Sequence, residues 1–441
     1  MADARAHYRA GELDASFRSL ERAHILGQRQ VWPHTLAHWW MFKVGWRRRD
    51  PGEVFGQVSR ILASLIFSRI WVPVGNTGGA DVSPLRPMPV PSDLAATLEA
   101  AGLSSVPDRW SILLGLLKFV LMVTGIAALA AMGFLARHHI LRTAVERQWD
   151  SEREQTTQQI ALRSVRSLSV LPLVNWHSAD ARLKTEVGVS YLVKTDKHTI
   201  LFDLGQNSGN SQPSPLEHNM RELGVSLTDI DALFISHLHF DHVGGRAWSA
   251  KRTFALGRSQ YVLPFSNVFT PSEMTYPGLN PRHTPKPIEL LPGIATTGTI
   301  ARQLLIGRID EQALVINLAG HGLVAIVGCG HQTQQKLIER IERSFRGRIY
   351  GIIGDLHYPV PSGRIPFLGM NGQRVFASGK GPFSQLTRED IQADIARLQK
   401  RKLGLVALGG HDSSDETIGR FARAFPDKYR HVRLGEWIHV R

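Results

Sequence analysis

The sequence contains a single cysteine, Cys329, which excludes a disulfide within one chain and leaves the redox compartment undecided. Acidic residues are also scarce, because 38 Asp and Glu stand against 52 Lys and Arg, and the formal net charge is +14. The basic residues are spread along the chain and do not alternate with aromatic residues, so we predict a solvated surface and no nucleic-acid partner. Met1 to Leu20 has no apolar core, so we expect no signal peptide.

Long uncharged runs are absent with one exception. Phe119 to Ala136 contains no charged residue, and Ile112 to Leu117 extends the apolar run upstream of Lys118. About 18 to 25 such residues suffice to cross a bilayer. A buried core helix is the alternative interpretation. The length of the run and its position between two polar regions favour one membrane-spanning helix, which we place at residues 110–137.

Two features of the sequence predict opposite orientations for this helix. Arg137, Arg142 and Arg147 follow the apolar run, and basic residues accumulate on the cytoplasmic side. The upstream region is basic too, however, and lacks an export signal, while long domains count little in the charge rule. We therefore expect a cytoplasmic N-terminal domain and a periplasmic or otherwise extracytoplasmic C-terminal domain.

The first hundred residues have the pattern of a small all-α domain. Ala10 to Ala23 and Val54 to Phe67 show helical periodicity, and Ser92 begins a short helix after the irregular, proline-rich stretch Pro84 to Pro91. We assign residues 1–103 to this domain and residues 138–166 to a charged helical connector.

Three segments of this domain resemble a helical domain family of bacterial proteins that has no characterised function: Leu20 to Gln28, Pro33-His34 and Val74 to Gly79. The resemblance implies a discrete module, whose protein partner is unknown. His24, His34 and His38 are candidate metal ligands, but core and surface histidines are commoner, and we interpret them in that way.

Three histidines and an aspartate occur within six residues between Ser236 and Gly245: His237, His239, Asp241 and His242. They follow the apolar run Ala232 to Ile235, which predicts a buried strand, so they lie in a loop at a strand end. His237 and His239 can reach one point from an extended backbone, and Asp241 and His242 can reach a second point nearby. Imidazole and carboxylate ligands suit zinc, manganese or iron, so we predict a metal centre.

The same residues resemble the HxHxDH signature of the metallo-beta-lactamase superfamily. The resemblance implies an α/β fold, the αββα sandwich, with a metal centre at one edge that often holds two ions, and it extends over residues 167–441. It also implies that Asp203, at a strand end before Leu204-Gly205, orients the metal-binding loop by hydrogen bonds.

Two later strands also end in glycine and histidine. Leu323 to Val327 leads into Gly328-Cys329-Gly330-His331, and Leu405 to Leu408 leads into Gly409-Gly410-His411. The resulting hypothesis is that one zinc ion is held by His237, His239 and His331, and a second by Asp241, His242 and His411. Manganese or iron are the alternatives, and ligation by Cys329 stays open.

Glu311 to Leu314, together with the segment from Gly328 to His331, resembles the branch of ribofuranosylaminobenzene 5'-phosphate synthase-like proteins. Gly330 stands where that branch often has Ser. His357 matches the branch, whereas Asp355 departs from it and is either a metal ligand or a supporting group. The branch is mixed in function, so the fold does not imply the substrate.

Other parts of the C-terminal domain carry weaker predictions. We expect an irregular active-site loop from Pro264 to Pro292 and edge strands of the second sheet at Val432 to Gly435 and Ile438 to Val440. Arg364, Arg374 and Lys380 are candidate anion contacts, although scattered surface cations are the commoner explanation.

We therefore predict a membrane-anchored hydrolase that attacks an ester, a phosphoester or a related bond of a small molecule with a metal-bound hydroxide. Asp241 would orient the water, and His357 would donate a proton or hydrogen bond to the leaving group. The alternative is a non-catalytic or sensory metal-binding protein whose N-terminal module binds a partner. A true beta-lactamase is disfavoured, because no residue pattern specifies a lactam.

Overall fold

The computed structural model describes residues 1–106, 109–155, 158–378 and 385–440. The chain divides into two compact units, Met1–Leu135 and Ala136–Arg441. The boundary between them falls inside a single helix of 47 residues, α6 (Arg109–Gln155).

The first unit is all-α before that long helix. Its helices are α1 (Ala2–Ala10), α2 (Leu13–Gly27), α3 (Val31–Arg48), α4 (Pro51–Phe67) and α5 (Ser92–Ala100). The helix predicted at Ala10 to Ala23 is confirmed as α2, but it begins only at Leu13, because Gly11 has φ 82° and ends α1 in a left-handed turn. The start of α4 follows from Asp50, whose side chain accepts a hydrogen bond from the Glu53 amide, and from Pro51 in the first turn.

Within the described residues, one helix segment, Leu117–Gln155, is long and apolar enough to cross a membrane. The most apolar part of this segment has no buried residue, which disfavours the interpretation as a soluble core helix. No break separates the predicted membrane helix at 110–137 from the predicted connector at 138–166, because α6 continues to Gln155.

The C-terminal part of α6 packs on the second unit. Val145 and Trp149 are buried there. Glu146 forms ion pairs with Arg302 at 3.2 Å and Lys336 at 2.7 Å. This part of the predicted connector is therefore an integral part of the second unit.

Two seven-stranded sheets form the centre of the second unit. The first has the order β18-β1-β2-β3-β4-β5-β6 and consists of β1 (Leu168–Val174), β2 (Ser190–Thr195), β3 (Thr199–Phe202), β4 (Ala232–Phe234), β5 (Asn267–Thr270), β6 (Arg282–His283) and β18 (Ile438–Val440). The second has the order β17-β16-β13-β12-β11-β8-β7 and consists of β7 (Ile288–Leu291), β8 (Ile294–Thr296), β11 (Leu314–Leu318), β12 (Gly322–Val327), β13 (Ile349–Gly354), β16 (Leu405–Leu408) and β17 (Tyr429–His431).

Helices and two short hairpins complete the unit. The hairpins are β9 (Ile300–Leu304) with β10 (Gly307–Glu311) and β14 (Pro366–Phe367) with β15 (Met370–Asn371). The helices are α7 (Pro215–Glu222), α8 (Arg246–Ala250), α9 (Gln334–Ser344), α10 (Arg388–Lys400) and α11 (Asp415–Ala424).

Three buried clusters define four layers. One cluster fills the space between the sheets and includes Phe202 of β3 and Ile326 of β12. A second lies between the first sheet and α7, where Leu201 shares the core with Met220. The third lies between the second sheet and α9, α10 and α11. Adjacent strand residues such as 201 and 202 face opposite sides of the sheet, so one strand contributes side chains to two of the buried clusters. The predicted αββα sandwich is therefore confirmed.

Several local predictions are wrong. The stretch from Pro264 to Pro292 is not wholly irregular, because it contains β5, β6 and β7. The strand at Ile438–Val440 pairs with β1 of the first sheet, so it is not an edge of the second sheet, and Val432 to Gly435 forms no strand. Strands of two to five residues are too short to show a clear period in the sequence.

Candidate metal centre

The loop after β4 is anchored by Asp203 at the end of β3. Its buried carboxylate accepts hydrogen bonds from the Ser236 amide at 2.7 Å, the Ser236 hydroxyl at 2.6 Å and His242 Nδ1 at 2.7 Å. Burial raises the pKa of Asp203, and the donors from His242 and Ser236 oppose that rise. Because Nδ1 of His242 carries the proton, its Nε2 is unprotonated, which is the form that binds a metal. Asp203 therefore occupies an orienting position.

The loop after β12 is anchored by another buried carboxylate. Glu311 accepts hydrogen bonds from the backbone amides of Cys329 at 3.1 Å, Gly330 at 2.8 Å and His331 at 2.7 Å. Burial raises the pKa of Glu311 to about 7, although the amides favour the ionised form. The sequence signal for Glu311 was its place in the motif from Glu311 to Leu314, but this anchoring role was not predicted.

The imidazoles of His237, His239 and His331 lie side by side. Their ring centroids are 4.8 Å apart for His237 and His239, 4.8 Å for His239 and His331, and 5.2 Å for His237 and His331. Nδ1 of His331 donates to the Ala377 carbonyl at 3.2 Å, and Nδ1 of His237 donates to the Ser236 hydroxyl at 2.9 Å, because that hydroxyl already donates to Asp203. In both rings Nε2 is therefore unprotonated, and its lone pair is available to a ligand in the site.

Asp241, His242 and His411 form a second group beside the first. Asp241 Oδ2 lies 3.3 Å from His411 Nε2, and the His242 and His411 rings are 5.4 Å apart. Although burial opposes the change, the carboxylates of Asp412 and Asp241 raise the pKa of His411 to about 10. These carboxylates therefore create a field that favours positive charge at this point.

Cys329 lies between the two groups. Its buried Sγ is 2.9 Å from His242 Nε2 and 3.4 Å from His411 Nε2. It also lies with His237 and His331 in a set whose candidate ligand atoms are all within 4.8 Å of one another. The structure thus places the thiol where it can contact either predicted ion.

His357 and Asp412 form a buried pair at the same sheet edge. His357 has φ 54°, and its Nδ1 lies 3.1 Å from Asp412 Oδ2. The His357 ring is 4.5 Å from that of His331, so this pair borders the first group. Sequence reasoning identified His357 but missed the pairing role of Asp412, which follows His411 directly.

Asp355 directly follows β13, two residues before His357, and is completely buried. Its Oδ1 accepts a weak hydrogen bond from the Asp412 amide at 3.4 Å, and burial raises its pKa to about 6. Gly409 leaves room for this carboxylate, since a Cβ at that position would lie 2.3 Å from Asp355 Oδ2. Among the described residues, the sets of converging candidate ligands include neither Asp355 nor the predicted ligands His239 and Asp241, so ligation by these three residues stays a prediction.

A test of the fit to a metal is whether polar atoms are left unsatisfied. Among the described residues, five atoms at the site are buried and have no hydrogen-bond partner: Nε2 of His237, His331 and His357, Nδ1 of His411 and Oδ1 of Asp241. Each unsatisfied buried group costs about 1–3 kcal/mol. Burial also lowers the pKa of His239 to about 4, which keeps this imidazole neutral, the form that binds metals. The residues present therefore fit a metal ion.

The candidate anion contacts are already engaged where they are described. Arg364 donates to the Gly410 carbonyl at 2.8 Å and to Asp415 at 2.6 Å, and Arg374 donates to the Leu386 carbonyl at 2.8 Å. Lys380 lies outside the described residues. These contacts favour a structural role for both arginines.

Comparison with known proteins agrees with this architecture. Residues 183–338 match the model of the metallo-beta-lactamase superfamily, and residues 1–98 match a family described as a protein of unknown function, DUF3703. A curated relative from Methanocaldococcus jannaschii, named 7,8-dihydropterin-6-methyl-4-(beta-D-ribofuranosyl)-aminobenzene-5'-phosphate synthase, is 26% identical over 215 residues, covering 38% of this chain and 70% of the relative. The resemblances of both regions to these families are confirmed.

Two solved structures are also similar to this chain. A metal-dependent hydrolase of the beta-lactamase superfamily is 19% identical, with a TM-score of 0.42, covering 62% of this chain and 99% of that one. The metallo-beta-lactamase fold protein YhfI from Bacillus subtilis is 13% identical, with a TM-score of 0.38, covering 62% of this chain and 100% of that one.

Proposed function

We propose that the second unit is a metal-dependent hydrolase acting on an ester, a phosphoester or a related small molecule. The observation that carries the proposal is the set of five buried polar atoms that have no partners among the described residues and belong to four loops at one sheet edge. A purely structural core would satisfy these groups with one another or replace them by apolar side chains, since unsatisfied buried groups are rare.

We assign one ion to His237, His239 and His331 and a second to Asp241, His242 and His411, with zinc as the metal. When bound, such ions act as Lewis acids, lower the pKa of a water ligand to about 7 and stabilise negative charge on the attacked group. Cys329 is the alternative ligand for either ion because of its position between the groups.

The chain's own residues then have separate tasks. Asp203 holds His242 in the tautomer with a free Nε2, through the 2.7 Å hydrogen bond to Nδ1. Asp241 Oδ1 has no partner among the described residues and can accept a hydrogen bond from the attacking water. His357 is paired with Asp412 through Nδ1, and in the doubly protonated ring its Nε2 can give a proton to the leaving group and return to the neutral form.

A substrate screen tests the activity. The purified full-length chain should hydrolyse at least one member of a panel of esters, lactams and phosphodiesters. His239→Ala should abolish this turnover, whereas His439→Ala, which removes an exposed histidine of β18, should leave it unchanged. Stoichiometric metal without turnover of any substrate would support the non-catalytic alternative.

We further propose that the helix predicted at residues 110–137 anchors the chain in a membrane, with the second unit on the extracytoplasmic side. Support comes from the apolar length of the helix and from the exposure of its large side chains, among them Leu121, Ile126 and Leu129. Alkaline phosphatase fused after Arg441 should be active, because it requires export. A well-expressed but inactive fusion would contradict this topology.

A further inference from the structure

Three buried histidines of the first unit converge away from the site described above. His24 lies on α2, and His34 and His38 lie one turn apart on α3. Nε2 of His38 is 3.2 Å from Nε2 of His24 and 3.1 Å from Nε2 of His34. Sequence reasoning favoured ordinary core or surface histidines, but it had no means of showing that all three rings point at one another.

The opposite nitrogen of each ring donates a hydrogen bond. Nδ1 of His24 donates to the Asn76 carbonyl at 2.9 Å, and a carbonyl can only accept. Nδ1 of His34 donates to the Ser68 hydroxyl at 2.8 Å, because that hydroxyl uses its own proton on the Ser64 carbonyl.

The third ring is held by a relay of two side chains. Nδ1 of His38 donates to Gln57 Oε1 at 2.7 Å. The orientation of this amide is set, because its Nε2 donates to Glu53 at 2.6 Å and to the Gly78 carbonyl at 2.7 Å. Because each ring carries its proton on Nδ1, the three Nε2 atoms are unprotonated and their lone pairs face one another. No hydrogen bond can form between them.

Facing lone pairs at this separation repel unless a cation lies between them. Zinc binds imidazole nitrogens at about 2.0–2.1 Å, so two ligands of a tetrahedral ion lie about 3.3 Å apart. The observed separations of 3.1 and 3.2 Å are close to that value. A shared proton is the competing explanation, but one proton can join only two of the rings and would leave the third Nε2 facing them without a hydrogen bond.

The surroundings agree with a ligand site. The cluster lines a cavity of about 510 Å³ whose other walls include Arg60, Phe67 and Trp71. The polypeptide also approaches the cluster closely, because a Cβ on Gly78, which has φ 85°, would lie 2.7 Å from the His24 ring. An ion held here would thus have three protein ligands and one side open to the cavity, and not the closed set of four that is typical of structural zinc.

We propose that His24, His34 and His38 bind one divalent transition-metal ion of the zinc class, with the remaining coordination position facing the cavity. Imidazole ligands suit zinc, copper, nickel and iron, and zinc is the probe we choose. This ion is additional to those of the second unit, so its presence does not depend on the proposed hydrolase activity.

Zinc counting on matched variants tests the proposal. The full-length chain in detergent is stripped with a chelator, reloaded with zinc and freed of excess, and the zinc per chain is measured by mass spectrometry. His38→Ala should hold about one zinc fewer than the wild type, whereas His38→Cys should hold as much, because thiolate is also a zinc ligand. Ala and Cys are similar in size, so lost packing alone would affect both variants alike. His7→Ala, at a half-buried position of the same unit outside the cluster, should leave the count unchanged.

A second measurement does not depend on the folding of the alanine variant. With cobalt in place of zinc, His38→Cys should add a thiolate-to-cobalt absorption band beyond any that the wild type shows. Equal zinc content in the wild type and in folded His38→Ala, or no added band in His38→Cys, would overturn the proposal.

Discussion

The variant Asp203→Asn keeps the backbone of the loop anchor and removes only its charge and one acceptor. Position 203 has φ 55°, which Asn tolerates better than other non-glycine residues, so the backbone cost of the substitution is small. The wild-type carboxylate accepts from the Ser236 amide through Oδ1 and from the Ser236 hydroxyl and His242 Nδ1 through Oδ2. An amide has a single acceptor oxygen, so its NH₂ group must face either the Ser236 amide or the other two donors.

The magnitude follows from these lost bonds. Each hydrogen bond to a charged acceptor contributes about 1.5–3 kcal/mol, so losing one or two of them should destabilise the second unit by about 2–5 kcal/mol. If the NH₂ group turns towards His242, that ring must move its proton to Nε2 and can no longer ligate through it. Loss of such a supporting contact typically weakens metal affinity by about 10- to 100-fold.

Competition between the protein and a chromophoric chelator measures the zinc affinity, and denaturant titration measures the stability. Asp229→Asn is the matched control, because Asp229 is exposed in the same unit and its substitution should change stability by no more than about 0.5 kcal/mol. Wild-type zinc affinity in Asp203→Asn would refute the orienting role of Asp203.

Three further outcomes are expected. Cys329→Ser should retain the metal content of the wild type, because the assigned ligands are imidazoles and one carboxylate; loss of metal in this variant, but not in His331→Ala, would make the thiolate the ligand. Gly330→Ser should destabilise the second unit by about 2–5 kcal/mol in denaturant titration, despite the serine common in the related branch, because Gly330 has φ 84° and a Cβ would lie 2.6 Å from Leu356 Cα; wild-type stability would contradict this reasoning. The full-length chain should pellet with membranes and resist carbonate extraction, and a soluble full-length monomer would exclude the anchor.

The centre of the fold could be predicted because its signals are local. The loops carrying His237, His331 and His411 each follow an apolar strand, and β12, β13 and β16 run parallel, so their carboxyl ends share one edge. The place of Asp203 beside the loop of His242 was predicted from the family resemblance alone, and the structure explains it, because β3 and β4 are parallel neighbours. Recurrence of strand, glycine and histidine therefore predicted that the loops of His237, His331 and His411 meet at one edge.

Other features depend on how distant segments pack. The contact of Glu311 with three amides depends on the registration of two loops, and no periodicity in the sequence encodes it. The position of Cys329 between the two ligand groups could not be predicted either, because the sequence around it predicts only a buried apolar residue at a strand end. In the first unit, the meeting of His24 with His38 depends on the packing of α2 against α3, which helical periodicity predicts only as shared burial.

The most direct test of the central claim is the response of hydrolysis to metal removal. The full-length chain should carry about two metal ions in the second unit, lose its hydrolytic activity when a chelator removes them and regain it when zinc is restored. His239→Ala should lack the activity at every zinc concentration that restores the wild type. Hydrolysis that persists in the metal-free protein, or that zinc does not restore, would contradict the account.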